Sequence, residues 1–222
     1  NNNLKNVVVI GYSGHSYVVI DAAISSGINV SHYSDENKFN RNPFNLNYLG
    51  HESDHDFFSK VGDFDFILGI GNNNIRNKIY RQLKINNQNI LNVIHPSSQI
   101  SKHVILGKGN FISKSTSINS LSVIRDGCII NTGTIIEHEC VIGDFSHIGP
   151  GSVLAGNVSI GECSFIGANS FIKEGVKIGK NTIIGSNSII EHNTTIGKDC
   201  IIGSGVIVKN SDGSKGLYEY YT

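Results

Sequence analysis

From Ile94 onward the chain carries an aliphatic residue at every sixth position, from Ile94, Ile100 and Leu106 through Ile136, Ile142 and Ile148 to Ile196, Ile202 and Val208. Neither the 3.6-residue period of a helix nor the two-residue period of a simple strand produces this spacing. A hexapeptide period predicts a parallel β-helix, in which short strands wind around a prism and each coil stacks on the last through backbone hydrogen bonds. Two positions before each aliphatic residue stands mostly Ser, Thr, Cys or Val, small enough to share a crowded interior. Three positions after it the residue is commonly Gly, Asn or Asp, types that tolerate the positive φ of a sharp corner. Three hexads make a coil of about 18 residues, so the segment 93–210 forms roughly six coils, of a hand the repeat itself leaves open. From position 127 on, three corners depart from the rule: Glu139, Phe145 and Cys163. His103, Ser115 and Leu121 depart from it earlier in the chain.

Ahead of the repeat the pattern changes. Val7 to Ile10 is a continuous apolar run, which fits a strand buried on both faces. A turn with Gly11 and Gly14 follows, then a helical segment with Val18, Val19, Ala22, Ala23 and Ile24, stopped near Gly27 before a further strand. Phe64 to Ile70 and Asn74 to Leu83 predict a second strand and helix. Residues 1–92 are thus expected to form an α/β domain with a small Rossmann-like parallel sheet, followed by the all-β helix of 93–210 and a tail, 211–222. In such sheets ligands sit at the carboxyl ends of the strands, where the Gly11-Tyr12-Ser13-Gly14-His15 turn lies. The turn lacks the G-x-G-x-x-G spacing, which disfavours a dinucleotide and leaves a phosphate site and a plain tight turn open.

Charge narrows the partners. Lys plus Arg and Asp plus Glu number 18 each in 222 residues, so no global field favours nucleic acid or an anionic membrane. No apolar run approaches the roughly 20 residues of a membrane span, and "NNNLKN" lacks the layout of a signal peptide. The expectation is a soluble cytoplasmic protein with small, specific ligands. Cys128, Cys140, Cys163 and Cys200 form no C-x-x-C pair and read as reduced packing residues.

The stretch "IIEHECVIGDFSHIG", residues 135–149, raises a different question. Residues 18 apart stack on one edge, so His138, Gly156, Glu174 and His192 form a column, with glycine leaving room beside the His138 ring. Pro150, Ala168 and Ser186 form another edge of small residues. His147 is half a coil from His138, on the opposite side of the prism, and the two cannot meet within one chain. If they share a site, it lies between chains of a closed oligomer, and a triangular prism suggests three-fold symmetry. An imidazole beside a carboxylate, here Glu139, is suited to accepting a proton from an attacking amine or hydroxyl; a merely solvated histidine is the alternative. His51, His55 and His192 read as surface residues.

"GYSGHS", "YSDENKF", "GIGNNNIR" and "NTGTIIEHECVIGDFSHIGPGSVLAGNVSIG", with the hexads, resemble the bacterial nucleotide-sugar acetyltransferases. These include the UDP-4-amino-sugar N-acetyltransferases, the perosamine N-acetyltransferases and the sialic acid O-acetyltransferases. The resemblance implies left-handed coils, a front domain that holds the nucleotide-sugar, a homotrimer, and acetyl-CoA lying between adjacent β-helices. It makes His138 the general base and Glu139 its partner. His147 would contact acetyl-CoA near its thioester, with Gly156, Ala168 and Ser186 along the pantetheine. Ser13, Gly14 and His15 would cradle the phosphates, with Asp35 and Glu36 on the base or ribose and Gly71 nearby. The implied reaction is acetylation of the 4-amino group of a nucleotide-linked 4-amino-4,6-dideoxy sugar, in surface glycan biosynthesis. The rivals are a sugar O-acetyltransferase and a non-catalytic repeat protein that binds nucleotide-sugars. A carbonic-anhydrase-like metal enzyme on the same fold needs three converging histidines including a close pair, a spacing absent here, so no metal is expected.

Overall fold

A computed structural model of the chain describes residues 5–210 and 218–221. Its front part runs β1 (Val7–Ile10), α1 (Gly14–Ser25), β2 (Val30–Ser34), β3 (Asn47–Tyr48), α2 (Phe57–Lys60), β4 (Asp65–Leu68), α3 (Asn73–Ile85) and β5 (Asn89–Ile90). The strands form one parallel sheet in the order β3-β2-β1-β4-β5. Every residue of β1 is buried, as its unbroken apolar run requires. α1 packs with Val7 and Val9, α3 with Val8 and Ile10, on the two sides of the sheet.

From Val93 the chain winds into a left-handed parallel β-helix whose two-residue strands coincide with the hexads. Pairing is in register over 18 residues: Ile118 stands beside Ile136, and Ile136 beside Leu154. The aliphatic column is buried from Ile112 on, with Ile94, Ile100 and Leu106 partly buried at its start, and most of the small residues two positions before it lie within the same interior. Most of their polar atoms are spent on the stacking, the buried Thr194 hydroxyl being an exception. Ser146 Oγ donates to the Gly161 carbonyl at 2.7 Å and Ser152 Oγ to that of Gly167 at 2.8 Å. Cys140 takes the same place, its thiol 3.2 Å from the Ala155 carbonyl, which accounts for its burial as a reduced residue.

From Gly109 on, the corners adopt positive φ whether or not the residue favours it. Gly133, Asn157 and Asn169 do so at little cost, but so do Glu139 (φ 58°), Phe145 (57°) and Cys163 (57°). Phe145 and Cys163 share one corner with Gly127, and there the front domain docks. Phe145 joins the core under α3 with its ring centroid 5.2 Å from that of Tyr80. The Cys163 carbonyl accepts from Asn73 Nδ2 at 3.1 Å. On the adjacent face, Phe111 and Ile129 pack into the core around α1. The front domain therefore covers one face of the prism and one corner of that face. His138 and Glu139 occupy the corner between the other two faces, between strands Ile135–Ile136 and Val141–Ile142.

In the segment expected to be a plain tail, Tyr218–Tyr221 pairs antiparallel with Ile207–Asn210 and covers the last rung of one face. The rest of that segment lies outside the described residues. Among the described residues no helix is long and apolar enough to cross a membrane.

The close stacking makes a stability prediction. A Cβ at Gly143 would sit 2.6 Å from the Glu162 nitrogen, backbone of the next coil that cannot yield. Gly143→Ala should lower the unfolding free energy by about 1–3 kcal/mol. Asn157→Gly, at a corner with φ 57°, should change it by less than about 0.5 kcal/mol. Denaturant midpoints of the two variants check the contrast.

Candidate active site

His138 and Glu139 are the two residues of one corner, and Nδ1 of the imidazole lies 3.1 Å from Glu139 Oε2. A carboxylate only accepts, so this contact places the proton on Nδ1 and leaves the Nε2 lone pair free. The side chains are 55% and 60% exposed, open to a ligand approaching from outside the prism. One coil on, a Cβ at Gly156 would stand 2.5 Å from His138 Cε1 and 2.6 Å from Nε2. Only glycine there leaves the ring where it is. Glu139 accepts the backbone strain of its corner in exchange for that orienting contact.

The second feature is a cleft of about 230 Å³ at the carboxyl ends of the front sheet. Gly11, Ser13, Ser34, Asp35, Glu36, His51, Glu52, Gly69, Ile70 and Gly71 are among the residues that line it. Asp35 Oδ2 accepts from the Tyr12 backbone nitrogen at 2.7 Å and so fixes the glycine turn. Glu52 is buried and accepts from Ser34 Oγ at 2.9 Å. A Cβ at Gly69 would meet Ser16 Cβ at 2.6 Å, so this wall closes only with glycine. His51, expected on the surface, lines the cleft, because the turn after Gly50 folds back over the strand ends.

Of the residues expected to hold a nucleotide-sugar, Ser13, Asp35, Glu36 and Gly71 line the cleft, whereas Gly14 and His15 do not. The His15 ring instead enters the seam between the domains, 5.7 Å from Phe111 and 6.2 Å from His147, centroid to centroid. Its Nε2 is buried without a partner. Burial, with the Arg76 charge second, lowers its pKa to about 4. His147 sits in the same seam, with Nε2 3.1 Å from Asn131 Nδ2 and a further bond to the Gly71 backbone. Burial chiefly, then Arg76 and His15, lowers its pKa to about 3. His147 and Gly71 adjoin a second hollow, of about 350 Å³, lined by Gly71, Asn73, Cys163 and Phe165 among others. The expected contact of His147 with acetyl-CoA therefore requires a carrier that enters there. Ala168 and Ser186 lie on the third corner, before Asn169 and Asn187, away from Gly156. One chain thus separates residues expected along a single pantetheine channel.

With this geometry in place, residues 6–83 match the PglD N-terminal domain, and residues 139–174 and 175–210 match the bacterial transferase hexapeptide (six repeats). The fold superposes on a perosamine N-acetyltransferase variant from Caulobacter crescentus, solved with CoA and GDP-perosamine. The TM-score is 0.83 at 29% identity over 99% of this chain and 98% of that one. The chain thus joins a PglD-type N-terminal domain to bacterial transferase hexapeptide repeats. The acetyltransferase domain of PglB from Neisseria gonorrhoeae, solved with acetyl coenzyme A, also belongs to this group of similar structures. It gives a TM-score of 0.79 at 27% identity over 92% and 95% of the two chains. A 52-residue stretch is 31% identical to the UDP-N-acetylbacillosamine N-acetyltransferase of Bacillus subtilis. A 106-residue stretch is 33% identical to the uncharacterized protein L142 of Acanthamoeba polyphaga mimivirus. The chain spans only 24% and 21% of the length of these two curated relatives.

The sequence alone does not point to two residues of the cleft region, Glu52 and Arg76. Arg76 lay in plain view in "GIGNNNIR", but a single arginine on a helix carries no sign of burial. It is 1% exposed.

The buried histidines predict a pH dependence. Folding keeps His15 and His147 neutral, whereas in the unfolded chain they titrate near 6.5, so the unfolded state binds more protons below that pH. Stability should fall as pH drops from about 6.5 toward 4 for His15 and toward 3 for His147. His147→Phe should flatten this slope; an unchanged slope of unfolding free energy between pH 6.5 and 4 would contradict the assignment.

Proposed function

We propose that the chain is an acetyl-CoA-dependent N-acetyltransferase, which acetylates the 4-amino group of a nucleotide-linked 4-amino-4,6-dideoxy sugar in the cytoplasm, toward a surface glycan. The carrying observation is the His138 corner: a partnered Nδ1, a free Nε2, and a glycine that leaves space beside the ring. The structural relatives crystallised with CoA and GDP-perosamine or with acetyl coenzyme A match nearly the whole chain and support the two substrate classes.

In this reading the unprotonated amine attacks the thioester carbonyl. His138 Nε2 takes the amine proton as the C–N bond forms, and Glu139 Oε2 stabilises the imidazolium through Nδ1–H. The C–S bond then breaks, and the departing thiolate takes that proton from Nε2. Alignment of the two substrates supplies much of the rate and the base about 10²- to 10⁴-fold. Acetyl-CoA brings the activated acyl group; the chain contributes position and the proton acceptor.

The cleft and His138 cannot serve one substrate within one chain. The cleft adjoins the face that the front domain covers, and His138 stands on the corner between the other two faces. A homotrimer, with each nucleotide-sugar held by one chain and deprotonated by the next, resolves this. It also brings the Gly156 corner of one chain near the Ala168 and Ser186 corner of another. The partly exposed Ile135 and Phe171, on a face the front domain leaves bare, suit such an interface.

His138→Ala should lower kcat by about 10²- to 10⁴-fold with unchanged thermal unfolding, read as thiol release with UDP-, dTDP- and GDP-linked 4-amino-4,6-dideoxy sugars. Turnover within threefold of the native enzyme would remove His138 from this role. The product should be an amide; an ester product would favour O-acetylation. Sedimentation should give three chains per particle.

A further inference from the structure

The cleft presents a physical problem for an anionic ligand. Its wall holds three carboxylates, Asp35, Glu36 and Glu52, with His51 Nε2 3.3 Å from Glu52 Oε1, and among the described residues no lysine or arginine lines it. A nucleoside diphosphate carries two or more negative charges, so this wall repels the group it is proposed to hold. Ligand hydroxyls and base N–H groups can satisfy the acids, and the start of α1 beside Ser13 offers backbone N–H groups to a phosphate, but these are partial charges set against three whole negative ones.

Directly behind the wall lies Arg76, buried at 1% exposure on α3. Its Nη1 donates to the carbonyls of Ile70, at 3.1 Å, and Gly71, at 2.9 Å, both residues of the cleft wall. Nε donates to the Gly127 carbonyl at 2.7 Å, and Nη2 to those of Phe145 at 2.8 Å and the Asn73 side chain at 2.8 Å. All these acceptors are neutral dipoles; none is a carboxylate. Burying a cation without a counter-ion is costly, and burial draws its pKa down to about 10, which still leaves it charged at neutral pH. A charge retained in that setting is screened little, and its field reaches the cleft through the two peptide groups it polarises.

We propose that Arg76 is a positioning residue for the diphosphate: it supplies the cleft's missing positive charge from behind the Ile70–Gly71 wall, and fixes that wall to the β-helix corners at Gly127 and Phe145. This inference rests on the nucleotide-sugar reading of the cleft. The guanidinium is bound on one side to the cleft wall and on the other to the prism. Asn73 repeats the arrangement beside it, accepting from Arg76 and donating to the Cys163 and Ser164 carbonyls at 3.1 Å each. A neutral strut of the same shape would hold the wall equally well, but it would not attract phosphate.

The test separates these two contributions. UDP, dTDP and GDP are titrated calorimetrically into the native protein, Arg76→Lys and Arg76→Gln, and the matching nucleosides are followed by ligand-observed NMR. Arg76→Gln should weaken each diphosphate that the native protein binds at least tenfold, with nucleoside affinity within about twofold; Arg76→Lys, which keeps the charge, should fall between. Amide exchange over residues 69–73 should quicken in both variants. A folded Arg76→Gln that keeps diphosphate affinity within twofold would overturn the proposal. So would equal losses for nucleoside and diphosphate, the signature of a strut alone. If Arg76→Gln does not fold, Arg76→Lys carries the test through selective weakening of the diphosphates, and its absence is then the contrary result. A native protein that binds none of the three diphosphates overturns the cleft's assignment itself, a failure visible before any variant is made.

Discussion

Every coil of this protein must lie directly on the one below, in phase over 18 residues. That requirement decides which residues each position can carry. Most interior hydroxyls and thiols are consumed by carbonyls of the next coil, glycines stand where a Cβ would enter neighbouring backbone, and from Gly109 on the second residue of each corner bends to positive φ. Little freedom remains for chemistry. A functional side chain on the prism must point outward from a face or a corner, and at the second position of a corner, as at Glu139, it carries strain that glycine or asparagine would avoid.

The same phase relation explains what could be read from the sequence. The hexad alone gives strands, corners and columns, and Gly156 lies against the His138 ring as the 18-residue stacking requires. The unusual corners Glu139, Phe145 and Cys163 were also visible. Their reasons were not, because they differ: Glu139 orients a histidine one residue away, while Phe145 and Cys163 receive α3, whose Tyr80 and Asn73 stand 65 and 90 residues earlier in the chain. Local pattern reveals the departure from the rule. Only the tertiary docking reveals its purpose.

The front domain was less legible for the same physical reason. Its strands and helices follow from apolar runs and glycine stops, yet the direction of each polar side chain depends on the β-helix packed against it. His15 belongs to a glycine turn in sequence but turns into the domain seam, where burial keeps it neutral. His147, read on the prism, bonds to the Gly71 backbone of the front domain. Arg76 reads as an ordinary helical arginine and proves to be the buried charge joining cleft to prism. These three residues make the two domains one unit, so the cleft has a fixed height over one face and a fixed distance from the opposite corner.

In that fixed geometry, the cleft proposed to hold the nucleotide and the histidine proposed to accept the proton face away from each other within a single chain. A crystal structure with CoA and a bound nucleoside diphosphate tests this most directly. The account predicts that the diphosphate in each site is held by one chain while the His138 nearest to it, with the CoA sulfur beside its Nε2, belongs to a different chain. A complex in which cleft, CoA sulfur and His138 of the same chain converge would contradict it.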